Sequence, residues 1–177
     1  MKSWPRNLLL LLASTTCLAA DNTLVAWENA GFEQDLDTWT VQRGHFSATA
    51  EAAHEGKAGL RIDATENATI SYPLVPVDGL KKYRLRLWVR GLENSHASVM
   101  LGFQEGSGSA MDLENANDYK KALPAGKEWK QFSFDFKPPE SASILQFKLG
   151  VWPKKDAAAS DIIDIDSISL EELPEAS

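Results

Sequence analysis

Tyr83-Arg84-Leu85-Arg86-Leu87-Trp88-Val89-Arg90 is the stretch that decides the fold class. Its odd positions are apolar and its even positions carry three arginines, a two-residue period that marks a strand with one face buried. The same period returns at Phe132, Phe134 and Phe136, with Gln131, Ser133 and Asp135 between them. It returns again at Leu145, Phe147, Leu149 and Val151, at Val99, Leu101 and Phe103, at Leu60 and Ile62, and from Ile162 to Leu170. Turn residues separate these runs: Asp78-Gly79, Gly91, Gly106-Ser107-Gly108-Ser109, Pro124-Ala125-Gly126, Pro138-Pro139 and Pro153. No window keeps a helical period, and Met111 to Leu123 reads equally as a short helix or a loop. Short strands at fairly even spacing predict an all-β, antiparallel two-sheet sandwich.

The chain opens with Lys2 and Arg6, an apolar run from Leu8 to Ala13, and small residues up to Ala20. That order predicts a cleaved secretory signal over residues 1–20, cut after Ala19 or Ala20. A lipid anchor on Cys17 fits less well, because Ser14-Thr15-Thr16 ahead of it lacks the Leu-x-Gly/Ala pattern. The run is too short to span a bilayer. The expected product is a secreted or periplasmic single domain over 21–171, followed by an acidic tail over 172–177. It contains no cysteine, so about 155 residues must hold together by their core alone. Removing Lys2 and Arg6 leaves 16 basic against 25 acidic residues and takes the net charge from −7 to −9. This balance argues against nucleic acid and anionic membranes and fits neutral or basic ligands.

No catalytic constellation stands out, so no catalytic residue is assigned. Gly106-Ser107-Gly108-Ser109 lacks the spacing of a nucleophile elbow, and His45, His54 and His96 are scattered with no metal-binding pair. A mature chain without cysteine has no thiol nucleophile or zinc-thiolate site. Acidic residues are too numerous for sequence to single out a carboxylate pair.

Several motifs occur in a fixed order: Asn29-Ala30-Gly31-Phe32-Glu33 with Leu36 and Trp39, then His54-Glu55-Gly56-Lys57, then Tyr83 to Arg90, then Trp129-Lys130-Gln131-Phe132-Ser133-Phe134, and finally Ile165-Asp166-Ser167-Ile168-Ser169-Leu170. In this order the sequence resembles the carbohydrate-binding modules appended to bacterial cellulases and xylanases, which have a galactose-binding-like jelly-roll fold. Glu55 stands where that family has serine, and Ser167 where it has a second aspartate.

The resemblance implies a non-catalytic module for polysaccharide or oligosaccharide, acting freely or beside a secreted enzyme. The other reading is a structural or protein-interaction domain of the cell envelope. It also implies a structural calcium held by Glu33, the loop from Glu55 to Lys57, and Asp166. Parity along the last strand groups Asp166 with Ile168 and Leu170, and a carboxylate facing a core needs a cation or donors. The alternatives are a salt bridge from Asp166 to Lys57, or solvent. Flat aromatic faces and planar polar groups on a rigid sheet suit a sugar chain. If the three strands around Trp88, Met100 and Lys148 are neighbours, one face carries Arg86, Trp88, Arg90, Gln104, Gln146, Lys148 and Trp152. Trp88 could instead pack under a loop, and the arginines could pair with Glu93, Glu105 or Asp112. Trp39 and Trp129 are expected in the core, and Trp27 is left unplaced.

Overall fold

A computed structural model describes residues 22–106, 110–111, 116–124, 126–155 and 161–174. The expected export segment, residues 1–20, and the end of the tail, 175–177, lie outside the described residues. The described strands are β1 (Thr23–Leu24), β2 (Thr40–Arg43), β3 (His45–Thr49), β4 (Gly59–Asp63), β5 (Ala68–Pro76), β6 (Lys82–Arg90), β7 (Ser95–Gln104), β8 (Lys120–Ala122), β9 (Lys130–Phe136), β10 (Ile144–Pro153) and β11 (Ile162–Leu173). They form two antiparallel sheets. One runs β3-β4-β11-β6-β9 with β1 beside β11, and the other β2-β5-β10-β7-β8. The fold is the expected all-β sandwich.

The odd-position side chains named from periodicity face inward. Leu85, Leu87 and Val89 of β6 and Leu145, Phe147 and Val151 of β10 are all 0% exposed. Each such side chain contributes about 1.5–3 kcal/mol by leaving water, which is how a chain without disulfides holds two sheets together. Trp39 joins this core as expected, donating its indole N–H to the Asn29 carbonyl at 3.0 Å. Trp27 packs at its margin, 5.4 Å from Tyr72 and 5.3 Å from Phe147 between ring centroids.

Three details differ from the sequence reading. Ala116–Tyr119 is a 3₁₀ turn leading into β8, so the segment left open between helix and loop supplies an edge strand. β11 continues to Leu173, paired with Lys82, two residues beyond the expected domain end. β5 was hidden by its prolines. Its pairing with β10 slips between Leu145 and Phe147.

The largest correction concerns sheet membership. β6 lies between β11 and β9, whereas β7 and β10 pair with each other in the opposite sheet. Between β6 and β7 the chain changes sheets at Gly91–Asn94. Gly91 has φ +93°, and a Cβ there would lie 2.0 Å from the Ile162 carbonyl oxygen. The buried Asp161 carboxylate accepts the N–H groups of Glu93 at 3.0 Å and Asn94 at 2.6 Å, fixing the corner. Gly91→Ala combines a disfavoured φ with a backbone collision. It is expected to cost more than about 2 kcal/mol of unfolding free energy, measured by urea denaturation.

Candidate functional site

The outer face of the β2-β5-β10-β7-β8 sheet is built from even-numbered side chains of its two central strands. Cross-strand register aligns Thr40, Ser71, Lys148, Met100 and Lys120 in one row. Gln146 opposes Gly102 in the next, and its side-chain oxygen lies 3.4 Å from where a Gly102 Cβ would stand. Gln42 donates its amide to Ser71 Oγ at 3.3 Å. Together Thr40, Gln42, Ser71, Tyr72, Met100, Gly102, Gln146 and Lys148 line a groove of about 440 Å³.

Trp152 is folded back along β10. A Cβ on Gly150 would meet the Trp152 ring at 2.5 Å and the Met100 methyl at 2.9 Å, so the indole lies over Gly150 because that residue has no side chain. Lys120 Nζ sits 5.3 Å from the Trp152 ring centroid, a cation–π contact. An aromatic ring beside amides and hydroxyls is the composition a pyranose requires: its C–H face packs on the indole, and its hydroxyls exchange hydrogen bonds with Gln and Ser.

Gln104, Gln146, Lys148 and Trp152 therefore share one face as expected, with Gln104 opposite Ile144 at the end of its ladder. Arg86, Trp88 and Arg90 do not join them. They lie on the outer face of the opposite sheet, where each is committed to packing. Arg86 pairs with Glu171. Trp88 stacks on His54 at 4.1 Å between centroids and 15° between planes. Arg90 donates Nε to Asp164 at 2.9 Å and lies 4.7 Å over the Trp129 ring. Arg61 grips the same Asp164 at 2.9 and 3.1 Å, so a carboxylate only 3% exposed has two guanidinium partners. The arginine partners are thus Asp135, Asp164 and Glu171 rather than Glu93 or Glu105, and Asp112 lies outside the described residues. Trp129 was expected in the core but belongs to this outer layer, 5.1 Å from His54. The error has one cause: alternation shows which side chains share a strand face, not which strands share a sheet.

A larger groove of about 590 Å³ lies on this second sheet, beside Lys82, Arg84, Asp135 and Lys137. Arg84 and Asp135 close on each other at 2.5 and 2.6 Å, and the Arg84 hydrogen bond holds the Asp135 carboxyl below its ordinary range. Its one aromatic lining residue, Phe136, is turned into the core. It offers no stacking platform.

Glu33, Lys57 and Asp166 do come together. A bulge between Asp166 and Ser169, with Ser167 at φ +52°, reverses the parity of β11. Ile163 and Ile165 face the core before it, Ile168 and Leu170 after it. Asp166 thus points outward, opposite to the expectation that grouped it with Ile168 and Leu170, and is buried by the loop at 54–58. It accepts backbone N–H groups of His54 at 2.7 Å and Glu55 at 2.9 Å, while Glu33 accepts that of Lys57 at 2.9 Å. Lys57 contributes its backbone N–H, and no salt bridge to either carboxylate forms among the described residues. Burial raises the Asp166 pKa more than these donors lower it, and nearby Glu33 raises it further. Two carboxylates without a cationic side chain fit a hard cation in charge and donor type. They do not complete its shell, because the described residues bring together no group of three or more acidic, His or Cys side chains. Backbone carbonyls would have to supply the rest.

The family model of a carbohydrate-binding domain matches residues 26–156. The chain belongs to that family. This carbohydrate-binding domain is also similar in fold to solved modules of the same kind. A family 16 carbohydrate-binding module is 21% identical with TM-score 0.61, the match covering 80% of this chain and 96% of that one. A family 61 module in complex with β-1,4-galactotriose is 16% identical with TM-score 0.61, covering 84% and 99%. The CBM22-1 and GH10 modules of the Clostridium thermocellum endo-1,4-β-D-xylanase 10B, complexed with xylohexaose, are 14% identical with TM-score 0.60, covering 89% of this chain and 30% of that one. No curated protein matches the sequence.

Sequence reasoning missed Thr40, Gln42, Ser71 and Lys120. Gln42 shares the parity of Thr40, and Ser71 sits between Ile70 and Tyr72, so the alternation was present. Strands β2 and β8 are only four and three residues long, too short for a period to stand out.

Proposed function

We propose that this domain holds a polysaccharide or oligosaccharide in the groove on the Trp152 sheet and performs no catalysis itself. The observation that carries this reading is the Trp152 indole laid over Gly150 on the same sheet face as Gln146 and Lys148, on strands whose opposite faces are the core. A rigid sheet presents its ring and amides without reorganisation, so ordering the glycan is the main cost of binding. The start of the sequence supports export, and the modules that resemble it in fold include ones joined to hydrolases. We therefore infer a secreted or periplasmic protein that works alone or beside a secreted enzyme.

Affinity electrophoresis in gels containing soluble glycans tests the assignment. Trp152→Ala is expected to weaken retardation about tenfold or more while leaving the melting temperature unchanged. Trp88→Ala is expected to keep the retardation and to lose about 1–3 kcal/mol of stability, because it removes the ring under His54. The reverse pattern would place the ligand on the other sheet.

We also propose a structural calcium at Glu33 and Asp166, completed by carbonyls of the Glu55–Lys57 loop. A pair of carboxylates that meets backbone N–H groups but, among the described residues, no cationic side chain supports it. A cation bound at a hundred times its dissociation constant adds about 2.7 kcal/mol, or roughly 5–10 °C in a domain of this size. Chelator should lower the melting temperature by that amount and added calcium should restore it. An unchanged melting curve would mean that the backbone N–H groups of residues 54–58 suffice.

A further inference from the structure

Acidic residues are distributed unevenly between the two sheets. The chain has 25 acidic residues and a net charge of −7, yet no strand of the Trp152 sheet contains an Asp or Glu. The opposite sheet holds Asp63, Asp135, Asp164, Asp166, Glu171 and Glu172. The carboxylate-free sheet nevertheless carries lysines. Lys148 stands in the groove, one row from Gln146, and Lys120 stands at Trp152 in the same row as Lys148, two strands away. Strand spacing of roughly 4.8 Å sets their backbones about 10 Å apart. Neither forms an ion pair among the described residues.

We propose that the ligand of this groove is an anionic polysaccharide, whose acidic groups meet Lys148 and Lys120 while a sugar ring packs on Trp152. The proposal rests on the assignment of the binding face to the Trp152 sheet and adds the charge class of the ligand. A neutral sugar is served by the indole, Gln42, Gln146 and Ser71. Ammonium groups with no carboxylate partner among the described residues add nothing that an amide could not supply, unless the ligand itself is charged. On an acidic protein, a local cationic strip also sets how an anionic chain approaches, because it attracts a chain that the net charge of the protein repels. Net charge favours neutral or basic ligands, but within a Debye length of about 8–10 Å the local lysines dominate.

Two sources of negative charge share this chemistry, uronate carboxylates and sulfate esters, and matched pairs separate them. The folded protein is titrated calorimetrically with polygalacturonate and its methyl ester, and with a sulfated galactan and its unsulfated form, at low and high salt. The acidic member of at least one pair should bind more tightly, and high salt should remove the difference. Lys148→Gln and Lys120→Gln should each reduce that preference roughly two- to fivefold, lowering affinity for the acidic member more than for the neutral one. Which pair responds names the source of charge. Neutral members bound as tightly as acidic ones, or lysine variants that weaken both equally, would overturn the charge assignment and leave the Trp152 site standing. If Trp152→Ala has no effect on any glycan that binds, the site assignment fails with it.

Discussion

Everything the two surfaces of this domain can do depends on where the backbone leaves one sheet for the other. At Gly91 the chain takes a φ that side chains resist, passes within contact of the Ile162 carbonyl, and is held through Asn94 by the buried Asp161 carboxylate. That corner takes the chain from β6, which lies between β11 and β9, to β7, which pairs with β10 in the other sheet. Trp88 and Trp152 lie on strands with similar alternation, yet β6 and β10 belong to different sheets, so the two indoles stand on opposite sides of the molecule.

The two outer faces have correspondingly different chemistry. On the Trp88 sheet, cations and carboxylates neutralise one another: Arg61 and Arg90 on Asp164, Arg84 on Asp135, Arg86 on Glu171. His54 and Trp129 cover what remains. Most of the arginines on this face are thus tied to carboxylates of the same sheet. On the Trp152 sheet the polar groups are amides, hydroxyls and lysines with few internal partners, and the one large ring is held in place by a glycine beneath it. A face whose hydrogen-bonding capacity is left open, above strands that are rigid because their other side is core, is the arrangement expected of a glycan-binding surface.

Most of the fold was legible from the sequence because burial on one side imposes a period of two, and that period names the inward residues strand by strand. Leu85, Leu87, Leu145, Phe147 and Val99 all fell where alternation put them. Sheet membership was not legible, since it is set by the corner at Gly91 and by pairing between segments far apart in the chain. Three of the seven expected site residues, Arg86, Trp88 and Arg90, therefore lie on the other side of the sandwich. The parity of Asp166 was misread for a local reason: a bulge at Ser167 inserts one residue, and an inserted residue reverses every side chain after it. The short strands β2 and β8, which complete the groove, offer too few residues for any period to register.

The central claim is that sugar is recognised on the Trp152 sheet alone. Its most direct test is a nuclear magnetic resonance titration of the labelled protein with a glycan that retards it. The Trp152 indole N–H and the amides around Ser71, Met100 and Lys148 should shift together along one saturation curve, with the Trp88 and Trp129 signals unmoved. Shifts centred on Trp88, His54 and Trp129, with Trp152 silent, would contradict it.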